Sequence, residues 1–598
     1  MKKTTAILVT LVCTGGCATD ESLRMNLNGP WFFQVDSLDE GMSKSWYAEE
    51  FNRSGWTKVS VPDHWERYDL ASYDGVGWFS TTFEYAGGSR PMALVFGGVD
   101  DAADVWINGV SVGSHVEHSD AFYFDITRAL RTGVNEMAVR VVDFGGPGGI
   151  YQSVTVDLLD RVPDLLRTAF SRMQAKPSEE WIRDAVIYEV YLRSFSKEGS
   201  MKALERRIPE LKEMGVTVIW LMPIHPVGKL HRKGTLGSPY AVQDYYAINP
   251  EFGTLEDFRS LIRTIHRHGL KIIIDLVANH TAWDSRLMNE HPDWFTRDES
   301  GKVIAPNDDW TDVADLDYSR QELWTYMIEM MNYWVRDIGI DGYRCDVSEL
   351  VPTEFWNRAR KELDSIKPVM MLSEGTLPEH HVEAFDLTYA WNFYDLLSNV
   401  ISGSGSVGMF EELLERESYK FPKGSLRLRF NTNHDKNAWE APAVEKFTPA
   451  GAKASAVLMF TFPGVPLIYN GEEVGNSKRL GLFEKIDIDW TKNRDFRDLY
   501  SDLARLRKTH AALRHGEYKP LKNSDGEKVI SFLRQSGSEK RLVVVNLSNR
   551  SREATISLGG RANAKLNDLL AGRSVDVADG VISLTLRPFD FYVLALPQ

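Results

Sequence analysis

The spacing of apolar and polar positions changes character twice along the chain. From about Ser22 to Asp160, apolar residues come in short alternating runs such as WFFQV, GWFSTTFEY, ADVWINGVSVG, AFYFDIT, NEMAVRVVD and YQSVTVDL, separated by Gly-rich turns. A period of two broken at regular intervals predicts an antiparallel β-sandwich over residues 22–160. Asn108-Gly109, between two such runs, predicts a two-residue hairpin turn. From Trp181 to Thr509 the pattern switches to continuous apolar runs: AVIYEVYL, VTVIWLMPI, LKIIIDLV, IDGYRCD, VMMLSE, LTYAWNF, LRLRFNTN and PLIYNGEE. Amphipathic helical segments such as MKALERRIPELKEMG and LEDFRSLIRTIHRHG lie between them. Strands buried on both faces and alternating with helices predict a parallel sheet, and eight such units predict a (β/α)8 barrel over 181–509. Its longest insertion, residues 281–315, follows the third strand. From Ala511 to Gln598 short strands return (EKVISFLRQS, RLVVVNLS, EATISL, FDFYVLALP), predicting a smaller C-terminal β-sandwich over 511–598. The fold class expected is therefore multidomain: β-sandwich, TIM barrel, β-sandwich.

Residues 1–20 read as an address. Met1-Lys2-Lys3 is basic, and Ala6 to Cys13 is an apolar run too short to span a bilayer but suited to an export signal. The TGGC that ends at Cys17 resembles the bacterial lipoprotein box, with Thr14 where Leu is usual. The resemblance implies a lipid on Cys17 as the only membrane attachment, and a location in the cell envelope or outside the cell. Cys13, Cys17 and Cys345 are the only cysteines, which excludes a disulfide framework or a cysteine-based zinc site. A net charge of −15 argues against nucleic acid or an anionic membrane surface as the main partner and suits a neutral ligand. Aromatic residues are plentiful, and Trp65, Trp78 and Phe122 are candidates to stack on a glycan, buried core being the plainer reading.

The chemistry gathers at predicted strand ends, where a barrel of this kind places its active site. Strand three ends in Asp275-x-x-x-Asn279-His280, strand four in Arg344-Cys345-Asp346, strand five in Glu374 and strand seven in Asn433-His434-Asp435. Arg344 and Asp346 are two apart, so they face the same side of their strand, and Cys345 faces away. Glycoside cleavage needs two carboxyl groups, one to protonate the leaving oxygen and one to attack the anomeric carbon or activate water. Attraction to Arg344 favours an ionised Asp346 as the attacking group. Neighbouring carboxylates favour a protonated Glu374 as the acid. Asp435 is then a third carboxylate, with His280 and His434 as groups for sugar hydroxyls. His225 and His231 are expected as exposed loop histidines without a role, and the basic run PIHPVGKLHRKG as a solvated loop.

The motifs DLVANH, GYRCD, SEG and NTNHD, together with GSPYAVQDYYAINPEFGT and FPGVPLIYNGEE, resemble the signature regions of the α-amylase superfamily over about residues 185–500. The resemblance implies a retaining α-glucan hydrolase cutting α-1,4 links of starch, glycogen or maltodextrins. It makes Asp346 the nucleophile, Glu374 the acid/base and Asp435 the transition-state stabiliser. His280, Arg344 and His434 would line the subsite of the attacked sugar, with Tyr240 stacked beneath it. Residues 281–315 correspond to a short domain B. Asn279, and Asp317 in ADLDY, match positions that bind calcium in many relatives; the chemistry itself needs no cofactor. Glu349 and Leu350 stand where many α-amylases have Lys-His, so substrate preference stays open between α-amylase, α-glucosidase, cyclomaltodextrinase or neopullulanase, and α-glucan transglycosylase. The N-terminal block resembles the sugar-binding jelly roll of family 2 glycosidases. A glycan-binding lipoprotein with an inert barrel and a β-galactosidase-like enzyme are the other classes; the intact carboxylate set and the barrel motifs speak against them.

Overall fold

The computed structural model describes residues 23–597 apart from 69, 71–72, 117–120, 144–146 and 561–562. Residues 1–22, on which the export-signal and Cys17 expectations fall, lie outside the described residues. The chain divides into two compact units, residues 1–167 and 168–598.

The first unit is a sandwich of a four-stranded and a six-stranded sheet. The longest pair, Gly75–Tyr85 against Gly133–Asp143, is antiparallel along its whole length. Ala102–Ile107 and Val110–Val116 form a hairpin whose turn residues Asn108 and Gly109 both have positive φ (52° and 75°), as this turn type requires. Trp65 and Phe122 sit in the core between the sheets, while Trp78 stacks on Trp106 at 5.4 Å on the opposite face and donates to Asp36 at 3.0 Å. All three candidate stacking residues are buried.

The second unit holds a closed barrel of eight parallel strands: β1 (Ile187–Val190), β2 (Val218–Leu221), β3 (Lys271–Leu276), β4 (Gly342–Cys345), β5 (Met370–Ser373), β6 (Leu387–Tyr389), β7 (Leu426–Arg429) and β8 (Val465–Tyr469). β8 pairs back onto β1, which removes both sheet edges. Nearly every strand residue is buried, as a sheet covered on both faces demands. Among the covering helices, α1 (Met201–Met214) starts at Ser200, whose side chain caps Ala203, and stops at Gly215 in the left-handed conformation. α2 (Leu255–Arg267) starts with a reciprocal capping box between Thr254 and Asp257 and turns Phe258, Leu261, Ile262 and Ile265 to the core. β4 begins at Gly342, with φ 144°, and a Cβ there would lie 1.9 Å from the Met370 carbonyl oxygen. Only glycine allows β4 and β5 to meet so closely.

The insertion after β3 is closed at its base by a short antiparallel pair, His280–Ala282 with Val313–Asp315. The C-terminal sandwich has two four-stranded sheets. Val529–Ser536 is apolar on both faces because its second face packs on the barrel's helical layer, with Phe532 6.1 Å from Phe462. That shared core makes barrel and C-terminal sandwich one unit.

Candidate active site

The carboxyl ends of the strands converge on a single buried guanidinium. Arg344 leaves β4 toward the barrel axis and is fully buried. Its Nη1 donates to Asp275 Oδ1 and to Asp346 Oδ1, each at 2.8 Å. Its Nη2 is ion-paired with Glu374 Oε1 at 2.7 Å, and its Nε donates to the Tyr389 hydroxyl at 3.3 Å. The rings of Trp220, Tyr240 and Tyr389 lie within 5.3–5.7 Å of the guanidinium carbon. Asp275, from β3, anchors the arginine from below.

One cation among three carboxyls cannot satisfy them all. Burial pushes Glu374 up to about 7; Arg344 opposes this, and the charges of Asp346 and Asp435 reinforce it. Burial likewise lifts Asp346 to about 6, again against Arg344 and with Asp275 and Asp435. Arg344 does favour the ionised form of Asp346, as expected, but loss of water outweighs the ion pair. Neighbouring carboxylates do raise Glu374, but burial is the larger cause.

Glu374 is also held by its second oxygen, which accepts the backbone N–H of Val347 at 2.8 Å. His280 faces Asp346 with Nε2 3.9 Å from Oδ2, and burial pushes its ring down to about 3, so it is neutral at working pH. His434 lies between Glu189, whose Oε1 is 2.6 Å from Nδ1, and Tyr240, whose hydroxyl is 2.7 Å from Nε2. Asp435 Oδ2 is 3.3 Å from the same Nε2. Tyr240 stacks on the His434 ring at 5.4 Å and donates to Asp275 Oδ2 at 3.2 Å. Tyr240, His280, Arg344, Asp346, Glu374, His434 and Asp435 thus belong to one connected group. The cavity above them, about 300 Å³, is also lined by Lys233, Trp310, Trp439 and Phe483.

Asn279 and Asp317, the residues expected at a calcium site, each have partners within the protein. The Asn279 amide nitrogen lies 3.3 Å from His280 Nδ1 and 3.5 Å from Asp315 Oδ1. The Asp317 carboxylate is committed to the Ser319 N–H and to Arg320 Nε at 3.2 Å. Among the described residues no three His, Cys, Asp or Glu side chains cluster to hold a metal. His225 is not an exposed loop histidine: it is buried, its Nδ1 meets the Ala247 carbonyl at 3.0 Å, and its ring packs on Trp334. His231 meets Trp283 edge-on at 5.9 Å. The basic loop is solvated as expected, with Lys229, His231 and Arg232 exposed, and Lys233 pairs with Asp312 at 3.2 Å beside the cavity. Glu189, Tyr389, Trp439 and Phe483 carried no motif. A carboxylate inside the apolar run IYEV was the one signal that pointed to Glu189.

A family model described as the α-amylase catalytic domain matches residues 183–516, more than half of the chain. The chain belongs to the α-amylase family. This α-amylase-family glycoside hydrolase also matches the sugar-binding domain of family 2 glycosyl hydrolases over residues 24–157 and the maltogenic amylase C-terminal domain over 518–593. It is 24% identical over 423 residues to alpha-amylase 2 of Dictyoglomus thermophilum, covering 64% of this chain and 72% of the relative. It is 22% identical to a cyclomaltodextrinase of Geobacillus thermopakistaniensis, covering 71% and 79%. Among solved structures it resembles a maltogenic alpha-amylase from Thermotoga neapolitana, with 32% identity, a TM-score of 0.66, and 70% of this chain and all of that one covered.

Proposed function

We propose that this family member is a retaining α-1,4-glucan hydrolase that prefers short or cyclic malto-oligosaccharides to starch. The observation that carries the chemistry is the single guanidinium of Arg344 with Asp346 at one end and Glu374 at the other. Two carboxyls whose surroundings separate their protonation are what acid and nucleophile require. Glu374, protonated near neutrality, gives its proton to the glycosidic oxygen as that bond breaks. The Asp346 carboxylate bonds to the anomeric carbon. Glu374, now ionised, takes a proton from water, which attacks the same carbon and releases Asp346, so configuration is retained. Asp435, His434 and His280 hold the hydroxyls of the attacked sugar, and Tyr240 lies beneath it.

The preference for short chains is supported by the cleft wall and by the names of the relatives. Trp439, 61% exposed, and Phe483 meet edge to face at 5.8 Å beside the cavity. Flat apolar faces there offer a platform for the glucose units next to the cut. Glu349, where many α-amylases have Lys, turns to the β5 loop and accepts the Thr376 N–H, and Leu350 is exposed. A relative and a structural neighbour are named cyclomaltodextrinase and maltogenic alpha-amylase.

The test compares initial rates on β-cyclodextrin, maltoheptaose and soluble starch at equal glucose content, with the anomeric form of the first product read by proton NMR. The expected result is α-anomeric product and rates on the two small substrates at least about tenfold above starch, a gap of 1.4 kcal/mol. Starch turned over faster, or β-anomeric product, overturns the reading. Asp346→Asn, which removes the nucleophile at nearly constant volume, is expected to lower kcat by about four orders of magnitude with the fold intact.

A further inference from the structure

Glu189 lies at the third position of β1, fully buried, on the barrel's first strand and far in sequence from every signature motif. Nothing in the reaction asks for a carboxylate at that place. Its Oε1 nevertheless makes a 2.6 Å contact to His434 Nδ1, while its Oε2 has no hydrogen-bond partner. Burying a carboxylate with one oxygen unsatisfied is costly, and a hydrophobic residue would fill the place more cheaply. The cost is explained by what the other oxygen holds.

From His434 the contacts run onward in one direction. His434 Nε2 meets the Tyr240 hydroxyl, Tyr240 donates to Asp275, and Asp275 accepts from Arg344, which also binds Asp346 and Glu374. A neutral histidine has one N–H and must choose between its two nitrogens. With Glu189 at Nδ1 and Tyr240 and Asp435 at Nε2, both nitrogens face acceptors. We propose that Glu189 is a positioning residue that keeps His434 a donor at both nitrogens, so that Nε2 always presents a proton to Tyr240 and Asp435 at the edge of the subsite. The proposal rests on the reading of this cleft as the glucan-cleaving site.

The charged and titratable groups facing the ring agree with this. Burial and the Arg344 charge push His434 down, and the carboxylates of Asp435 and Glu189 outweigh them, leaving it at about 9. Tyr240 is the remaining titratable neighbour, and burial pushes its hydroxyl well up, so it stays protonated. Asp435 is partly open to solvent, whereas Glu189 is sealed in. Glu189 is therefore the partner that water cannot replace.

The experiment has two arms. In the unaltered protein, a 15N-histidine NMR titration follows His434, assigned through a His434→Asn variant. The resonance is expected to keep both nitrogens protonated past pH 8; a His434 that titrates near 6.5 overturns the proposal without reference to activity. In the second arm, Glu189→Gln and Glu189→Asp are assayed on maltoheptaose across pH. Glu189→Gln is expected to lose about 10- to 100-fold in kcat, typical of a supporting partner, with KM within a factor of about three. Its alkaline limb is expected to move to lower pH, and Glu189→Asp, which restores the charge, to recover part of the rate. A folded Glu189→Gln with unchanged kcat and pH profile overturns the proposal. If the unaltered protein cleaves no α-glucan, the proposed function has failed instead, and the titration still decides the role of Glu189.

Discussion

Val347 donates its backbone N–H to Glu374 Oε2 at 2.8 Å from a left-handed backbone, φ 36° and ψ 46°. A β-branched residue is rarely found there, and holding one costs on the order of 1–3 kcal/mol. The conformation turns the N–H that follows Asp346 across to the β5 carboxylate. Strain on β4 is thus exchanged for a fixed Glu374. Val347→Gly removes the steric conflict and frees the loop. The thermal midpoint is expected to hold or rise, while kcat falls by about tenfold, a loss of 1.4 kcal/mol in orientation. A variant with lower stability and full kcat would show that the conformation serves folding rather than Glu374.

The protonation states predict a narrow bell for kcat/KM. Asp346 must be ionised and Glu374 protonated, and burial places them at about 6 and about 7. Activity is expected to rise as pH passes 6 and to fall above 7, with a maximum near 6.5. Glu374→Gln removes the group responsible for the alkaline limb. With an activated substrate such as α-maltosyl fluoride, which needs no acid to leave, that variant is expected to keep the rise near pH 6 and lose the fall near 7. A retained fall would assign the limb to another group.

Trp439 follows Asp435 on the turn Lys436–Glu440, which is pinned at its far end by Glu440 through Lys436, Lys446 and the Tyr394 hydroxyl. The indole is therefore held out beside the cavity although it buries little of itself. Trp439→Ala is expected to raise KM for β-cyclodextrin and maltoheptaose by about 5- to 30-fold, as loss of a 1–2 kcal/mol contact implies. Hydrolysis of α-glucosyl fluoride, which fills only the attacked-sugar subsite, is expected to change less than twofold. Equal losses on both substrates would place Trp439 in the scaffold of Asp435.

The legible part of this site is the part that obeys a period. Arg344 and Asp346 can be placed on one face because strand spacing leaves no choice, and the barrel follows from strands too apolar to have a solvent side. Glu189 shows where that reasoning stops. Within IYEV it reads as a polar interruption, and its contact with His434 appears only when barrel closure through β8 brings β1 beside the end of β7. His225 failed for a related reason: its burial depends on Trp334, more than a hundred residues later, closing over it. Trp439 belongs to a single turn without periodicity, and an aromatic residue there has no sequence signature. The protonation of Asp346 and Glu374 was legible only in sign of partner. Which force is larger depends on how much water the cup excludes, and that is a property of the assembled barrel.

At the opposite end of β4, Asp341 is buried and ringed by His266 at 2.7 Å and by Lys271 and Lys367, each at 3.2 Å. Its Oδ2 also accepts the Ile272 N–H at 3.1 Å, tying β3 to β4. Burial alone would raise its carboxyl, but the hydrogen bond from His266 and the nearby Lys367 and Lys271 hold it down to about 2. A carboxyl depressed on folding stabilises the fold above its unfolded pKa, near 4, and that contribution fades as pH falls toward 2. Its size is about 2 kcal/mol at neutral pH. Lys271, Lys367 and His266 are each about a third exposed, so removing the carboxylate leaves them solvated and adds no large penalty for a buried unpaired charge. Asp341→Asn is therefore expected to unfold at lower urea than the unaltered protein at pH 7, by the equivalent of about 2 kcal/mol, with the gap closing as pH is lowered from 4 to 2. A gap that stays constant over that range would mean that Asp341 acts through its hydrogen bond to the β3 backbone and not through its charge.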